Sequence, residues 1–399
     1  MFRALSILLG SIGLLVSASA VERKKVLAAY LPSWGISSIS NVKPADAGIT
    51  HLLYAFVKPS LNRETGRVEL LLDFEGNGLP EGAATSTFAQ FLELAGEGSS
   101  AKRMVSLGGW GLSEAFTEIA STDQNRREFS SVVTRFIDRH GLDGVDIDWE
   151  YPVEGGPEET VVRPEDVENF VRLAAILRKD LETLGAERGQ PVLLTIAVSA
   201  TYDSLSRRYD LEELSGYVDW FHVMAYDFAG PWSPRTAHVA PLNAPGEPDY
   251  RQIGVNGAIA ALQELGVPKE KVVLGLGLAG VRFEDVRPNG NQWIGVPFTR
   301  MNESTRKGSW NDFRFLHSAV LYPPMNDGEW SLRWDEQARA SYWVCPTSKT
   351  VISFESIRSA QEKAELVRID QLRGVMIWSL DKDGDDLPLV RAVSEVLER

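Results

Sequence analysis

The 399-residue chain has almost no cysteine. Its single thiol, Cys345, excludes a disulfide within the chain and any zinc site built on several cysteines. Basic charge is also short: 41 Lys and Arg stand against 55 Asp and Glu, a formal net charge of −14. Sequence-independent nucleic-acid binding needs cations to neutralise phosphates, so this balance argues against it and suits a neutral or cationic partner. None of the five histidines, His51, His140, His222, His238 and His317, sits in an H-E-x-x-H spacing. His222 lies inside a candidate strand and reads as a core residue with its hydrogen bonds satisfied. No G-x-S-x-G elbow occurs, and low-complexity tracts, Pro/Ser-rich linkers and internal repeats are missing. Beyond the N-terminus no long uncharged apolar stretch remains to span a membrane. With 44% hydrophobic and 24% charged residues, wholesale disorder is excluded.

The N-terminus has the three parts of an export signal. Arg3 is the positive part, Ala4–Val16 the apolar part, and Ala18-Ser19-Ala20 the small-residue cleavage site. Residues 1–20 are therefore expected to be removed, leaving a secreted, extracellular protein with no membrane attachment, a monomer. Asn302-Glu303-Ser304 is a glycosylation sequon.

Apolar runs of strand length recur at Val26–Leu31, His51–Val57, Arg103–Leu107, Gly144–Glu150, Val192–Ala200, Trp220–Tyr226, Val272–Leu276 and Gly374–Ser379. Segments of helical spacing lie between several of them: Gln124–Arg139, Pro164–Leu184, Tyr250–Leu265 and Ser356–Ile369. A last one, Leu387–Leu397, follows the eighth run. Strands alternating with helices imply parallel βαβ units, and eight of them point to an α/β fold of the (β/α)₈ barrel type. The interval from Leu276 to Gly374 is far longer than one helix needs. Residues from about 283 to 342 mix short aromatic runs with Gly, Pro and Asn, and read as a small α+β insertion after the seventh strand. The expected organisation is thus a barrel over 21–399 interrupted by an insertion at about 283–342.

The most informative segment is Asp143-Gly144-Val145-Asp146-Ile147-Asp148-Trp149-Glu150-Tyr151-Pro152. Side chains alternate along a strand, so Asp146, Asp148 and Glu150 share one face while Val145, Ile147 and Trp149 share the other. Like charges and desolvation raise at least one of three such acids, which suits a general acid at Glu150 supported by Asp148. A solvated strand face is the bland alternative, but a parallel barrel covers both faces of its strands. Binding of a hard metal ion by the carboxylates is a third reading. Asp143, of opposite parity, reads as an anchor at the start of the strand.

This segment resembles the D-x-x-D-x-D-x-E signature of glycoside hydrolase family 18, the chitinases and their relatives. Five further motifs resemble that family in order: Ala29-Tyr30-Leu31-Pro32-Ser33-Trp34, Tyr54-Ala55-Phe56, Ser106-Leu107-Gly108-Gly109-Trp110, Met224-Ala225-Tyr226-Asp227 and Gly374-Val375-Met376-Ile377-Trp378. Trp334-Asp335 looks like the end of the family's insertion domain. The resemblance implies hydrolysis of chitin and chito-oligosaccharides by a retaining, substrate-assisted mechanism without metal or cofactor. It gives Glu150 the acid/base role and makes the substrate's acetamido oxygen the nucleophile, through an oxazolinium ion. Asp148 would bind the acetamido N–H, Asp146 would share its proton, and Tyr226 would hold the acetamido carbonyl. Met224 and Asp227 would border the same sugar and Trp378 would lie beneath it. Tyr30 and Phe56 would line the pocket, with Trp110 and Tyr151 on the leaving-group side.

The nearest enzyme alternative is a member of the family acting on another N-acetylglucosaminyl bond, such as an endo-N-acetylglucosaminidase. A chitin-binding lectin of the same fold would be marked by loss of the acid, and Glu150 is present. Where the family often has an aromatic-Tyr-Gly-Arg run, this chain reads Leu278-Ala279-Gly280-Val281, which implies altered contacts on the non-reducing side. Gly275-Leu276-Gly277-Leu278-Ala279-Gly280 matches G-x-G-x-x-G, but no helix-forming sequence follows, so it is no dinucleotide site. Asp381–Asp386 begins like a calcium loop, yet the turn glycine is misplaced and the twelfth position is Ala392.

Overall fold

The computed structural model describes residues 24–399 except 40–42, 75–78, 80–81, 95, 97–99, 159, 245–252, 300–313, 317–328 and 385, with 314–316 as backbone alone. The expected leader, residues 1–20, and the sequon at Asn302 lie outside the described residues.

In chain order the strands are β1 (Val26–Pro32), β2 (His51–Asn62), β3 (Arg67–Leu71), β4 (Lys102–Gly108), β5 (Gly144–Asp148), β6 (Leu193–Val198) and β7 (Trp220–Val223). They continue as β8 (Val272–Gly277), β9 (Ala279–Phe283), β10 (Arg314–Leu316), β11 (Ser331–Asp335), β12 (Ala340–Cys345), β13 (Thr350–Phe354) and β14 (Gly374–Trp378). β1, β2, β4–β8 and β14 run parallel, and β1 pairs with both β2 and β14, so the sheet closes into a barrel. This is the (β/α)₈ architecture that the alternation of strands and helices implies.

The near-continuous apolar runs follow from burial on both strand faces. One parity, including Val105, Val145, Ile147, Leu194, Phe221, Leu274 and Val375, packs outward under the helices. The other, including Val26, Ala28, Tyr30, Leu53, Met104, Trp220, Val273 and Met376, fills the interior. Helix Asp123–His140 shows how the outer layer is set: Phe129, Val133 and Ile137 form its buried stripe. The Thr122 side chain accepts the Asn125 N–H at its start, and Gly141 at φ 61° ends it.

β2 leaves the barrel after Val57 and pairs antiparallel with β3. A second, antiparallel sheet has the order β10-β9-β13-β12-β11. The interval expected for the insertion, 283–342, overlaps this sheet, but its strands run from Ala279 to Phe354, so those bounds fall within β9 and β12. Leu278 alone separates β8 from β9, and the apolar run continues across it, so composition does not mark the change. One face of this sheet, with Val281, Phe283, Val344 and Val351, packs against Ala229, Val239, Val286 and Trp293.

Candidate active site

Asp146 sits at the centre of the barrel interior, fully buried. Its carboxylate accepts hydrogen bonds from Tyr30 Oη on β1 at 2.8 Å, Ser106 Oγ on β4 at 2.7 Å and Thr195 Oγ1 on β6 at 2.6 Å. His222 Nδ1 on β7 lies 3.2 Å away. Burial pushes Asp146 upward, but the bonds from His222, Thr195 and Ser106 outweigh it and hold the carboxyl below its ordinary range. Both oxygens are occupied by protein hydrogens, which leaves little lone-pair capacity for a cation. The metal reading of these carboxylates therefore does not fit Asp146.

Asp148, one same-face position further along β5, has the opposite environment. It too is buried, and its Oδ1 has no hydrogen-bond partner among the described residues. Burial first, then the charges of Glu150 and Asp146, push its pKa well above the usual carboxylate range. One strand thus carries an acid held down and, directly beyond it, an acid pushed up.

Glu150 lies past the end of β5, half-buried at the barrel mouth. Its backbone N–H donates to Ser113 Oγ at 3.0 Å, and that hydroxyl is within reach of the Gly109 and Asp148 carbonyl oxygens at 3.0 and 3.1 Å. The two glycines before Trp110 allow this close approach. A Cβ on Gly108 would stand 2.3 Å from the Asp148 carbonyl oxygen, and one on Gly109 would stand 2.8 Å from the Phe56 ring. Tyr151 follows Glu150, bonds to it through its hydroxyl and lies under the Arg208 guanidinium, 4.1 Å from ring centre to Cζ. Burial and then the Glu150 charge push the Tyr151 phenol well up.

Tyr226, Met224 and Asp227 follow β7, the last with φ 57°. The Tyr226 ring rests on β8 where side chains are missing. A Cβ on Gly277 would lie 2.8 Å from its Cγ, and one on Gly275 2.9 Å from its Cε1 and 2.4 Å from the Val223 carbonyl oxygen. The G-x-G of that segment is a seat for a tyrosine. Trp378, at the end of β14, packs edge-on against Tyr30 at 5.8 Å and tilted against Phe56 at 5.5 Å.

The strands therefore bring Asp146, Asp148, Tyr30, Phe56 and Trp378 together, with Glu150, Tyr151, Tyr226, Met224 and Asp227 at their C-terminal ends. Tyr30 differs from its expected place. It is only 2% exposed and spends its hydroxyl on Asp146 and His222, so it supports an acid from beneath instead of lining the pocket. Trp110 is 48% exposed beyond β4, and Trp34 and Trp232, 44% and 41% exposed, stand in the same way beyond β1 and β7. The last two were not singled out as site residues, nor were Ser106, Ser113, Thr195 and His222. The signal for Trp34 and Trp232 is an aromatic shortly after the C-terminal end of a barrel strand. Ala279 and Val281, in place of the family's Tyr and Arg, are buried. Asp143 takes the Arg103 N–H and the Lys102 ammonium at 2.8 Å each, at the opposite end of the barrel from Glu150.

A family model described as glycosyl hydrolases family 18 matches residues 26–383. Chitinase A1 of Niallia circulans is 32% identical over 71% of this chain, which spans 40% of that protein's length. Chitinase 1 of Aphanocladium album is 29% identical over 90% of the chain and 82% of its own length. Among solved structures, a family 18 N-acetylglucosaminidase from Paenibacillus barengoltzii is 26% identical, with a TM-score of 0.76 over 93% of this chain and 99% of that one.

Proposed function

The chain belongs to the glycosyl hydrolases of family 18, and on that premise we propose that it is a secreted chitinase using a substrate-assisted, retaining mechanism. It cleaves β-1,4 bonds between N-acetylglucosamine units, and its partners are chitin and chito-oligosaccharides. One observation carries the mechanism. Asp146, Asp148 and Glu150 come from a single strand and its continuation, so they approach the scissile bond from one side. The ordinary two-carboxylate scheme needs its acids on opposite sides of that bond. A nucleophile belonging to the substrate meets the same need.

Glu150 protonates the glycosidic oxygen while the acetamido oxygen attacks the anomeric carbon, giving an oxazolinium ion. Glu150 then takes a proton from the water that opens it. Asp148 holds the acetamido N–H through a carboxyl oxygen and keeps its own proton towards Glu150. Tyr226, seated on Gly275 and Gly277, fixes the acetamido carbonyl in line, a positioning contribution. Trp378 offers an indole face to the sugar. Support for secretion is the N-terminal pattern, together with the finding that no helix among the described residues is long and apolar enough to cross a membrane.

Hydrolysis of N-acetylated chito-oligosaccharides, beside their deacetylated counterparts, tests this. The protein is expected to cut only the acetylated series, and Glu150→Gln to lose at least ~100-fold in kcat. Equal rates on both series would remove the acetamido nucleophile. Binding of the acetylated series without any cutting would make the protein a lectin.

A further inference from the structure

β7 carries Trp220 and His222 on its inward face, and both are buried, 3% and 0% exposed. The Trp220 indole N–H donates to His222 Nε2 at 2.8 Å. An indole nitrogen is a donor only, so Nε2 must present its lone pair and the imidazole proton sits on Nδ1. Nδ1 lies 2.8 Å from Tyr30 Oη and 3.2 Å from Asp146 Oδ1. With Nδ1–H donating to the phenol oxygen, the Tyr30 O–H is directed onto Asp146 Oδ2 at 2.8 Å. The reverse tautomer would set a nitrogen lone pair against the carboxylate and an indole N–H against an imidazole N–H.

We propose that Trp220 and His222 are positioning residues for catalysis: Trp220 fixes the His222 tautomer so that Nδ1–H donates to the Tyr30 oxygen and the Tyr30 O–H is turned onto Asp146, and the proton of the carboxylate pair stays on Asp148. This rests on the mechanism proposed above and adds to it a device in the barrel floor. Asp146 receives donors from β1, β4 and β6, while the β7 imidazole N–H holds the β1 phenol in place, and Asp146 stays ionised. Asp148, with an unpartnered buried oxygen, keeps the proton that steadies Glu150 once that residue has given up its own.

Titratable and charged groups stand on both sides of the His222 ring. Asp146, with Asp148 beyond it, and Tyr30 face its Nδ1 side. On the Nε2 side, Trp220 packs edge-on against His51 of β2 at 5.0 Å, and the Arg373 guanidinium stands 5.6 Å from the Trp220 ring. Burial, then His222 and Arg373, push His51 down to about 3, so it adds no charge near neutrality. The Lys102–Asp143 pair at the strand starts completes the floor. A proton on His222 Nε2 would face the Trp220 indole N–H and break that bond.

The test is long-range proton–nitrogen NMR on full-length protein labelled with ¹⁵N-histidine, from neutral pH to about pH 5. His222→Asn identifies the signal. In the wild type at neutral pH, His222 is expected as the Nδ1–H tautomer. An Nε2–H tautomer, or an imidazolium at neutral pH, would overturn the proposal without any variant. In Trp220→Phe, Nε2 loses its donor, so the Nδ1–H tautomer is expected to lose its exclusive hold and kcat to fall, with KM little changed. A Trp220→Phe protein with the wild-type His222 signal and the wild-type kcat would also overturn it. His222→Leu, lacking any donor, is expected to lose about 10- to 100-fold in kcat, whereas Asn, whose amide N–H mimics Nδ1–H, restores most of it. Absence of hydrolysis in the wild type would defeat the functional reading, while the tautomer measurement still judges the relay.

Discussion

A methyl group at position 277 would press on the Tyr226 ring at 2.8 Å from Cγ and 3.0 Å from Cβ. Such contacts force the ring to move, and an ångström of misplacement at a reacting group costs on the order of 100-fold in rate. Gly277→Ala is therefore expected to fold and to lose about 10- to 100-fold in kcat. Kinetics beside a thermal melt check this, and an unchanged kcat would show that Tyr226 does not need its seat. At the same scale, sequence parity put Asp146 and Asp148 on one face of a strand, and Glu150 follows just past its end. Parity did not reveal which acid is pushed up and which is held down, because that depends on neighbours far away in the chain. Tyr30 and His222 stand 116 and 76 residues from Asp146, and nothing local to the acid marks them.

Among the elements, β5 shows what fixes a strand in register. Asp143, just before it, accepts the backbone N–H of Arg103 in β4 and ties down Lys102. Asp143→Ala leaves that amide without its partner, and a loss of about 1–3 kcal/mol in unfolding free energy is expected. Urea unfolding measures it, and a shift in the pH profile of kcat is not expected, since Asp143 is remote from Glu150. The eight strand positions were legible because each is a run buried on two faces. Their ends were less so. The strand expected to reach Glu150 stops at Asp148, since the Glu150 N–H turns to Ser113 instead of a neighbouring strand. β2 continues through Pro59, which tolerates a missing N–H because the chain has by then left the barrel for the β3 hairpin.

Across the whole molecule, one buried clamp joins the antiparallel sheet to the barrel. Glu355, directly after β13, pairs with Lys363 of helix Ile357–Ile369, and both side chains are fully buried. Lys363 Nζ also donates to the Ala240 carbonyl at 2.7 Å, in the segment that follows Tyr226, and Ser359 Oγ donates to Glu355 at 2.5 Å. Removing one partner leaves a buried charge uncompensated, so Lys363→Met is expected to cost about 3–5 kcal/mol. Adding Glu355→Leu removes that charge and is expected to recover most of the loss. Thermal and urea unfolding of the single and double variants decide this, and a double variant as weak as the single would exclude the buried charge as the cause.

The sequence by itself determined the barrel and the common face of Asp146 and Asp148, because strand parity and the alternation of strand with helix are local properties of the chain. It also determined the family, through motifs in order along the chain. The tertiary structure alone decided the opposed states of Asp146 and Asp148, the place of Tyr30 beneath the acids and the role of G-x-G as a tyrosine's seat. It likewise decided the extent of the second sheet, from Ala279 to Phe354. The physical reason is common to all four. Each depends on burial and on hydrogen-bond or van der Waals partners that become neighbours only when the sheets have formed.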